Sequence, residues 1–376
     1  MNAAFQSHRP EGAQIAFRRC LAPLVQWPVP ILLVLLTLLA SACGPGDRSA
    51  RAPVAPAIEI LSATTRDPLD STDVNVPFKA QSGPDGTVYV SSHALTGLVL
   101  VLDSAGRFIR TIGSHGSGPG EFAFPTFIIS ANDTVVVGDA RGALQVFDSA
   151  GAYVRTLPQL AAGNVDAIML LEGVIVANQN VGSVDRFGYP LHVLGDGGTI
   201  ARSFGADDRT VDPEFKLSQV RSLVKETDST FWAAHVTQYR IELWSSSGSL
   251  LKSLVPSRDW FTPTTKDPAA YRLERPPGML MGIHRDTRGN LQVLLQRARA
   301  DWSRDDGITG GFSFSAWLQY VEQIVEVIDS AGGNLLGTVS NDSGVYFVRF
   351  LDDGRLFGFM TMDDGRHVPV LGRIRY

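Results

Sequence analysis

The chain has 376 residues, 44% of them apolar, and a net charge of −5. Residues 1–42 carry three Arg against one Glu, so residues 43–376 carry −7. A mildly acidic chain without a basic stripe is a poor partner for a phosphate backbone, which excludes nucleic acid as a ligand.

The first segment reads as an address. Arg18 and Arg19 precede the apolar run 31–40, and Ala40-Ser-Ala-Cys43 follows it. A basic stretch, a short apolar stretch and small residues at a cleavage point make a secretory signal over 1–42. The run is too short to cross a bilayer comfortably. Leu39-Ala-Ser-Ala-Cys43 resembles the bacterial lipobox, with Ala40 where Leu is commonest. That resemblance implies cleavage after Ala42 and acylation of Cys43, and the absence of Asp after the Cys implies sorting to the outer membrane. Cys20 lies in the signal, so Cys43 would be the lone thiol left, and no internal disulfide is expected. Residues 43–56, rich in Pro, Gly and Ala, read as the lipidated Cys and a flexible tether.

The remaining chain, 57–376, is organised by a repeated phrase. Val101-Leu-Asp-Ser-Ala-Gly-Arg-Phe-Ile-Arg-Thr-Ile112 returns as Val146-Phe-Asp-Ser-Ala-Gly-Ala-Tyr-Val-Arg-Thr-Leu157, and in eroded form as Val325-Glu-Val-Ile-Asp-Ser-Ala-Gly332. Each copy is an alternating apolar run, a polar turn and a second run, which is a β-hairpin. Turn glycines Gly106, Gly151, Gly198, Gly248 and Gly332 mark an outer hairpin, and turns near Asp85, Asp133, Gly173, Asp228, Gly289 and Gly354 mark an inner one. A period of about 45–50 residues with four short strands suits a propeller blade. The blades predicted are 76–112, 122–157, 163–204, 216–254, 277–339 and 345–376. The last has three clear strands, and Ile58–Ala63 is expected to supply its fourth and so remove an open edge. The fold class is therefore all-β, a six-bladed β-propeller of four-stranded blades closed by its N-terminal strand.

Gly113-Ser-His-Gly-Ser-Gly-Pro-Gly-Glu-Phe-Ala-Phe-Pro125, with Val135-Val-Val-Gly-Asp139 and Val146-Phe-Asp-Ser-Ala-Gly151, resembles the NHL-repeat family and related bacterial six-bladed propellers. Blades one and two carry the resemblance most fully, and blade five is interrupted. The family resemblance implies a binding scaffold in most members and an enzyme in a few.

In a four-stranded blade the turns between strands A–B and C–D share one face, and the B–C and D–A loops share the other. The insertions near 257–276, with Trp260 and Phe261, and near 298–320, with Trp302, Phe312, Phe314 and Trp317, both fall on the B–C/D–A face. Long loops on a rigid scaffold are where binding usually resides. Polar residues at the ends of the B strands reach the same face: His93, Asp139, Arg141, Asn178, His235 and Arg297, with His115 in the first inter-blade loop. Asp139 has a plainer use as a turn cap.

No catalytic motif appears. Gly311-Phe-Ser-Phe-Ser315 lacks the last Gly of a nucleophile elbow, and Gly113–Gly120 has no Gly-Lys-Ser/Thr. The innermost strands are expected to present Phe78, Phe127, Asp166, Arg221, Met281 and Phe347 to the tunnel, too few carboxylates for calcium. The sequence thus predicts an exported propeller, anchored to the cell envelope through Cys43. It would bind a protein, peptide or glycan on its loop face, with no cofactor, metal or catalysis. A hydrolase or lyase using His and carboxylates over the tunnel is the alternative.

Overall fold

In a computed structural model the described residues are 57–63, 77–83, 85–92, 97–131, 134–139, 142–157, 164–171, 173–180, 188–195, 198–205, 216–265, 274–303, 317–363 and 367–375. The signal segment, the tether, Cys43, His93 and Arg141 lie outside them. Among the described residues no helix is long and apolar enough to cross a membrane.

The described residues begin with β1 (Ala57–Ala63). Blade one follows as β2 (Pro77–Ser82), β3 (Val88–Ser92), β4 (Val99–Leu102) and β5 (Phe108–Ile112). Two short strands, β6 (Ser114–His115) and β7 (Glu121–Phe122), lead to blade two: β8 (Pro125–Ala131), β9 (Thr134–Asp139), β10 (Leu144–Asp148) and β11 (Tyr153–Leu157). Blade three is β12 (Asn164–Leu171), β13 (Val174–Asn180), β14 (Leu191–Leu194) and β15 (Ile200–Phe204). Blade four is β16 (Arg221–Lys225), β17 (Thr230–His235), β18 (Ile241–Ser245) and β19 (Leu250–Leu254). Blade five is β20 (Met279–Arg285), β21 (Leu291–Ala298), β22 (Val321–Ile328) and β23 (Leu335–Ser340). Blade six is β24 (Tyr346–Phe350), β25 (Leu356–Thr361) and β26 (His367–Arg375).

Each blade is one antiparallel four-stranded sheet; the first strands of successive blades neighbour each other from blade one to blade six, and β2 meets β25 at the junction. Blade six takes β1 as its outermost strand. β1 pairs with β26 from Ala57↔Arg375 to Ala63↔Val370, and Glu59 forms ion pairs with Arg373 and Arg375 across that ladder. The closure expected of Ile58–Ala63 is therefore present, and no bare edge remains on β26.

The core is divided. Among the described residues its buried apolar side chains form seven clusters: one between each pair of neighbouring blades, and a small one at Trp317 and Val321. Tyr89, Val99, Val101 and Ile112 of blade one meet Ile128, Val135, Val137 and Phe147 of blade two, with Phe122 of β7 between them. Leu294 and Val325 of blade five meet Phe347, Phe350 and Leu356 of blade six in the same way. Full burial of such a side chain stabilises by about 1.5–3 kcal/mol. A hairpin buries nothing alone, so the period in the sequence is the period of these interfaces.

The repeated phrase forms a capped turn. In blade one the Asp103 N–H donates to the Arg107 carbonyl and the Gly106 N–H to the Asp103 carbonyl, with Gly106 at φ +75°. The Asp103 carboxylate accepts the N–H groups of Ala105 and Arg107 at 2.9 and 2.8 Å. Asp148 and Gly151 repeat the arrangement in blade two. The eroded copy differs. There Gly333, not Gly332, takes the positive φ, and its N–H reaches the Asp329 carbonyl, so that turn is one residue longer.

The Arg of the phrase has a separate use. Arg110 of β5 donates to the Ser149 carbonyl in the next blade's turn, and Arg202 of β15 donates to that of Ser247. Lys252 of β19 reaches the carbonyls of Ser330 and Ala331 at 3.2 and 3.1 Å. A basic side chain on an outer strand thereby joins its blade to the turn of the next.

The inner strands depart from simple alternation. The ladder between first and second strands carries a bulge at Pro77/Lys79, Pro125/Phe127, Val165/Ala167, Leu280/Gly282 and Phe347/Arg349. An extra residue shifts the alternation of the side chains. As a result Phe347, expected in the tunnel, is fully buried in the core between blades five and six, while Lys79 and Arg349 line the axial cavity beside Asp166.

A candidate binding face

Residues 255–265 leave β19 on the B–C/D–A side and are fixed there by one buried carboxylate. Glu326 of β22, 2% exposed, accepts the Tyr239 hydroxyl at 2.6 Å and Arg258 Nε at 2.9 and 3.0 Å. The Arg258 guanidinium lies 5.7 Å from the Tyr239 ring centre. Glu326 holds the guanidinium above its ordinary pKa, and burial followed by Glu326 drives the Tyr239 phenol far up. The Thr264 N–H donates to the Thr237 carbonyl and the Gly278 N–H to that of Thr262. Gly278 is required by contact: a Cβ there would lie 2.7 Å from the Phe261 ring.

The second insertion leaves blade five at Ala298↔Val321, the last rung between β21 and β22. Arg299 begins it, donating its N–H to the Tyr320 carbonyl and pairing with Asp301 at 2.9 and 2.8 Å. Trp317 is buried against Val321.

The residues singled out from the sequence separate into two groups. Asp139, 4% exposed, accepts the N–H groups of Ala123 and Phe124 at 2.6 and 3.0 Å, the capping use noted above. Asn178 is fully buried. Its amide donates to the carbonyls of Pro190 and Gln219 and accepts the Arg221 N–H at 2.8 Å, joining blade three to blade four. His235, 1% exposed, lies 3.3 Å from Glu242, which also pairs with Arg240 and accepts Trp244 Nε1. Burial pushes the Glu242 carboxyl up, but His235, Arg240 and Trp244 together hold it below its usual value. These three serve the body of the ring.

The others reach solvent. His115 is exposed on β6, paired in parallel with Phe122. Arg297 pairs with Glu322 at 2.6 Å and stacks 5.4 Å above Trp260. Trp302 is half-buried in the turn that follows Arg299. His93 and Arg141 lie outside the described residues.

Between this second insertion and blade six is a cavity of about 820 Å³, lined by Arg299, Asp301, Glu322, Asn341, Asp342, Tyr346, Phe359 and Thr361, among others. The charges largely pair within the structure: Arg299 with Asp301, and Glu322 with Arg297. Behind the wall, His367 Nδ1 is 3.0 Å from Thr361 Oγ1 and its ring meets Phe359 edge-on; burial lowers its pKa. The Tyr346 hydroxyl donates to Gln296, and burial raises the phenol well above its ordinary value. Sequence reading missed Asn341, Asp342, Tyr346 and Thr361. The available signal was the polar run Asn341-Asp-Ser-Gly344 between two apolar strands. Among the described residues no three His, Cys, Asp or Glu side chains gather as a metal site.

Comparison with known proteins agrees with this architecture. The family described as DUF5128, 6-bladed beta-propeller, matches residues 84–170. No curated protein matches the chain in sequence. A Bacteroides fragilis protein assigned as exported superposes with a TM-score of 0.58 at 12% identity, over 85% of this chain and 96% of its own. A member of the DUF4221 family from Bacteroides vulgatus superposes with a TM-score of 0.53 at 10% identity, over 85% and 98%. With four-stranded blades, a strand from each end of the chain in the last one, and these likenesses, the chain is a six-bladed β-propeller.

Proposed function

We propose that this chain is a non-catalytic binding module of the cell envelope, exported by residues 1–42, held to the outer membrane by a lipid on Cys43, and binding a glycan on its loop face. The cavity between the blade-five insertion and blade six carries the reading. Its volume suits two or three sugar units, and it combines aromatic edges with amides, a hydroxyl and carboxylates. Such a lining, with most charges paired internally, fits a neutral ligand rich in hydroxyls better than a strongly charged one. Export is also the assignment of the Bacteroides fragilis neighbour.

The test is binding of the purified full chain to a panel of envelope oligosaccharides by calorimetry. Asp342→Ala, in the cavity wall, is expected to weaken capture about tenfold or more, with the melting temperature unchanged. Ser104→Ala and Ser149→Ala, in the opposite turns, should leave affinity as it was. Binding that depends on the turns and ignores the cavity would reverse the assignment of faces. Cys43→Ser should abolish acyl labelling, and label surviving that substitution would end the anchor reading.

A further inference from the structure

The ring axis holds a second, smaller cavity of about 20 Å³, lined only by first strands: Lys79 and Gln81 of blade one, Ile128 of blade two, Asp166 and Ile168 of blade three, and Arg349 of blade six, among others. That volume admits one particle of about the size of a water molecule or slightly larger.

The charges around it do not balance. Lys79 donates to the main-chain carbonyl of Asp166 at 2.7 Å and lies 4.0 Å from its carboxylate, across the axis from blade one to blade three. Asp166 is therefore engaged. Arg349 brings a second cation with five N–H donors, and among the described residues no hydrogen bond or ion pair engages its guanidinium. The carboxylate acting on it is Asp352, from a distance, and Asp352 itself accepts the Gln81 amide. Lys79 and Arg349 repel one another, and burial disfavours the charge on both. Lys79 and Arg349 are partly exposed, and the cavity they line carries one carboxylate, Asp166, so positive charge is in excess there and a further anion would balance it.

We propose that the axial cavity is a binding site for a single halide-sized monovalent anion, bridging Arg349 and Lys79. The cavity is too small for phosphate or sulfate, so the site selects by size as well as charge. Arg349 and Lys79 belong to the last and first blades, so the anion would tie the two sides of the ring junction that β1 closes from outside.

The experiment uses the full chain purified without halide. Melting temperature is followed against sodium bromide and, at matched ionic strength, sodium sulfate. Bromide should raise it in proportion to the logarithm of its concentration once above the dissociation constant, by about 5 °C at a hundredfold excess, and sulfate should not. Crystals soaked in bromide should give an anomalous peak between Arg349 and Lys79. Arg349→Met should lose both responses. If that variant does not fold, Lys79→Gln serves in its place, and the wild-type peak decides by itself. Equal melting in both salts, or bromide found only at the surface, would overturn the proposal.

Discussion

The two faces of the ring are sealed by different chemistry. On the turn side the same device recurs. An Asp or Ser caps a short turn, a glycine relieves its backbone, and an Arg or Lys from the preceding blade's outer strand binds the turn carbonyl. On the loop side the joints are buried amides. Asn178 bridges to Gln219 and Arg221, and Gln323 brackets Phe347, donating to its carbonyl at 2.6 Å and accepting its N–H at 2.8 Å. A side-chain amide there completes the next inner strand as a peptide group would. Repetition in this sequence thus marks the face that holds the blades in order. The departures from repetition, at the two insertions and the run 341–344, mark the face that carries the cavity.

Four perturbations test that contrast, from large to small. Deleting Ala57–Ala63 removes the closing strand that both faces depend on. Cooperative melting should disappear, a loss comparable to the whole stability of a domain, about 5–15 kcal/mol, read by circular dichroism and by aggregation on gel filtration. A deletion stopping at Ala55 should melt like the parent.

Glu326→Ala leaves Arg258 and the Tyr239 hydroxyl without their shared acceptor and should cost about 3–5 kcal/mol. Hydrogen exchange should quicken across 257–265 and stay unchanged at Asp103–Arg107. Loosening of both faces would show that they are not separately built.

Lys79 lies on the axis between the faces. Burial draws its ammonium from the ordinary 10.5 down to about 8. Between those values the unfolded chain holds the proton and the folded chain does not, so stability rises with pH across the window. In halide-free buffer, wild type should gain up to about 3 kcal/mol on Lys79→Met as the pH climbs through it. A constant difference between the two would contradict the buried ammonium.

Asp103→Ala should cost about 1 kcal/mol, the worth of a lost turn cap, and Asp329→Ala should lower the melting temperature slightly, both read by thermal melting. Their effects should add, because they sit in blades one and five and share no partner. Neither should alter capture on the loop face.

Much of this architecture was legible in the residues, because a hairpin's period and its turn glycines are local. The phrase Val101–Ile112 contained both the capped turn and, in Arg110, the link between blades, although only the turn could be read. The shift from Gly332 to Gly333 needed one inserted residue to be placed. The bulges of the inner strands leave no mark in hydropathy, so Phe347 was assigned to the tunnel and Lys79 and Arg349 were not. The site was less legible still. Asn178 and His235 look like rim residues by position, yet Asn178 completes a hydrogen-bonded joint that exists only once two blades meet, and His235 is buried against Glu242 inside blade four. The cavity draws on residues from 299 to 361, and no local pattern brings those together.

The pairing of β1 with β26 also has a consequence in time. β1 finds its partner in β26, roughly 300 residues further along the chain. A growing or translocating chain can form hairpins and stack blades, but it cannot become a ring until its final strand arrives. Ring closure therefore waits on β26, however early the other blades have formed. A product lacking β26 leaves β1 and β25 as open edges, the kind of surface that pairs with other chains.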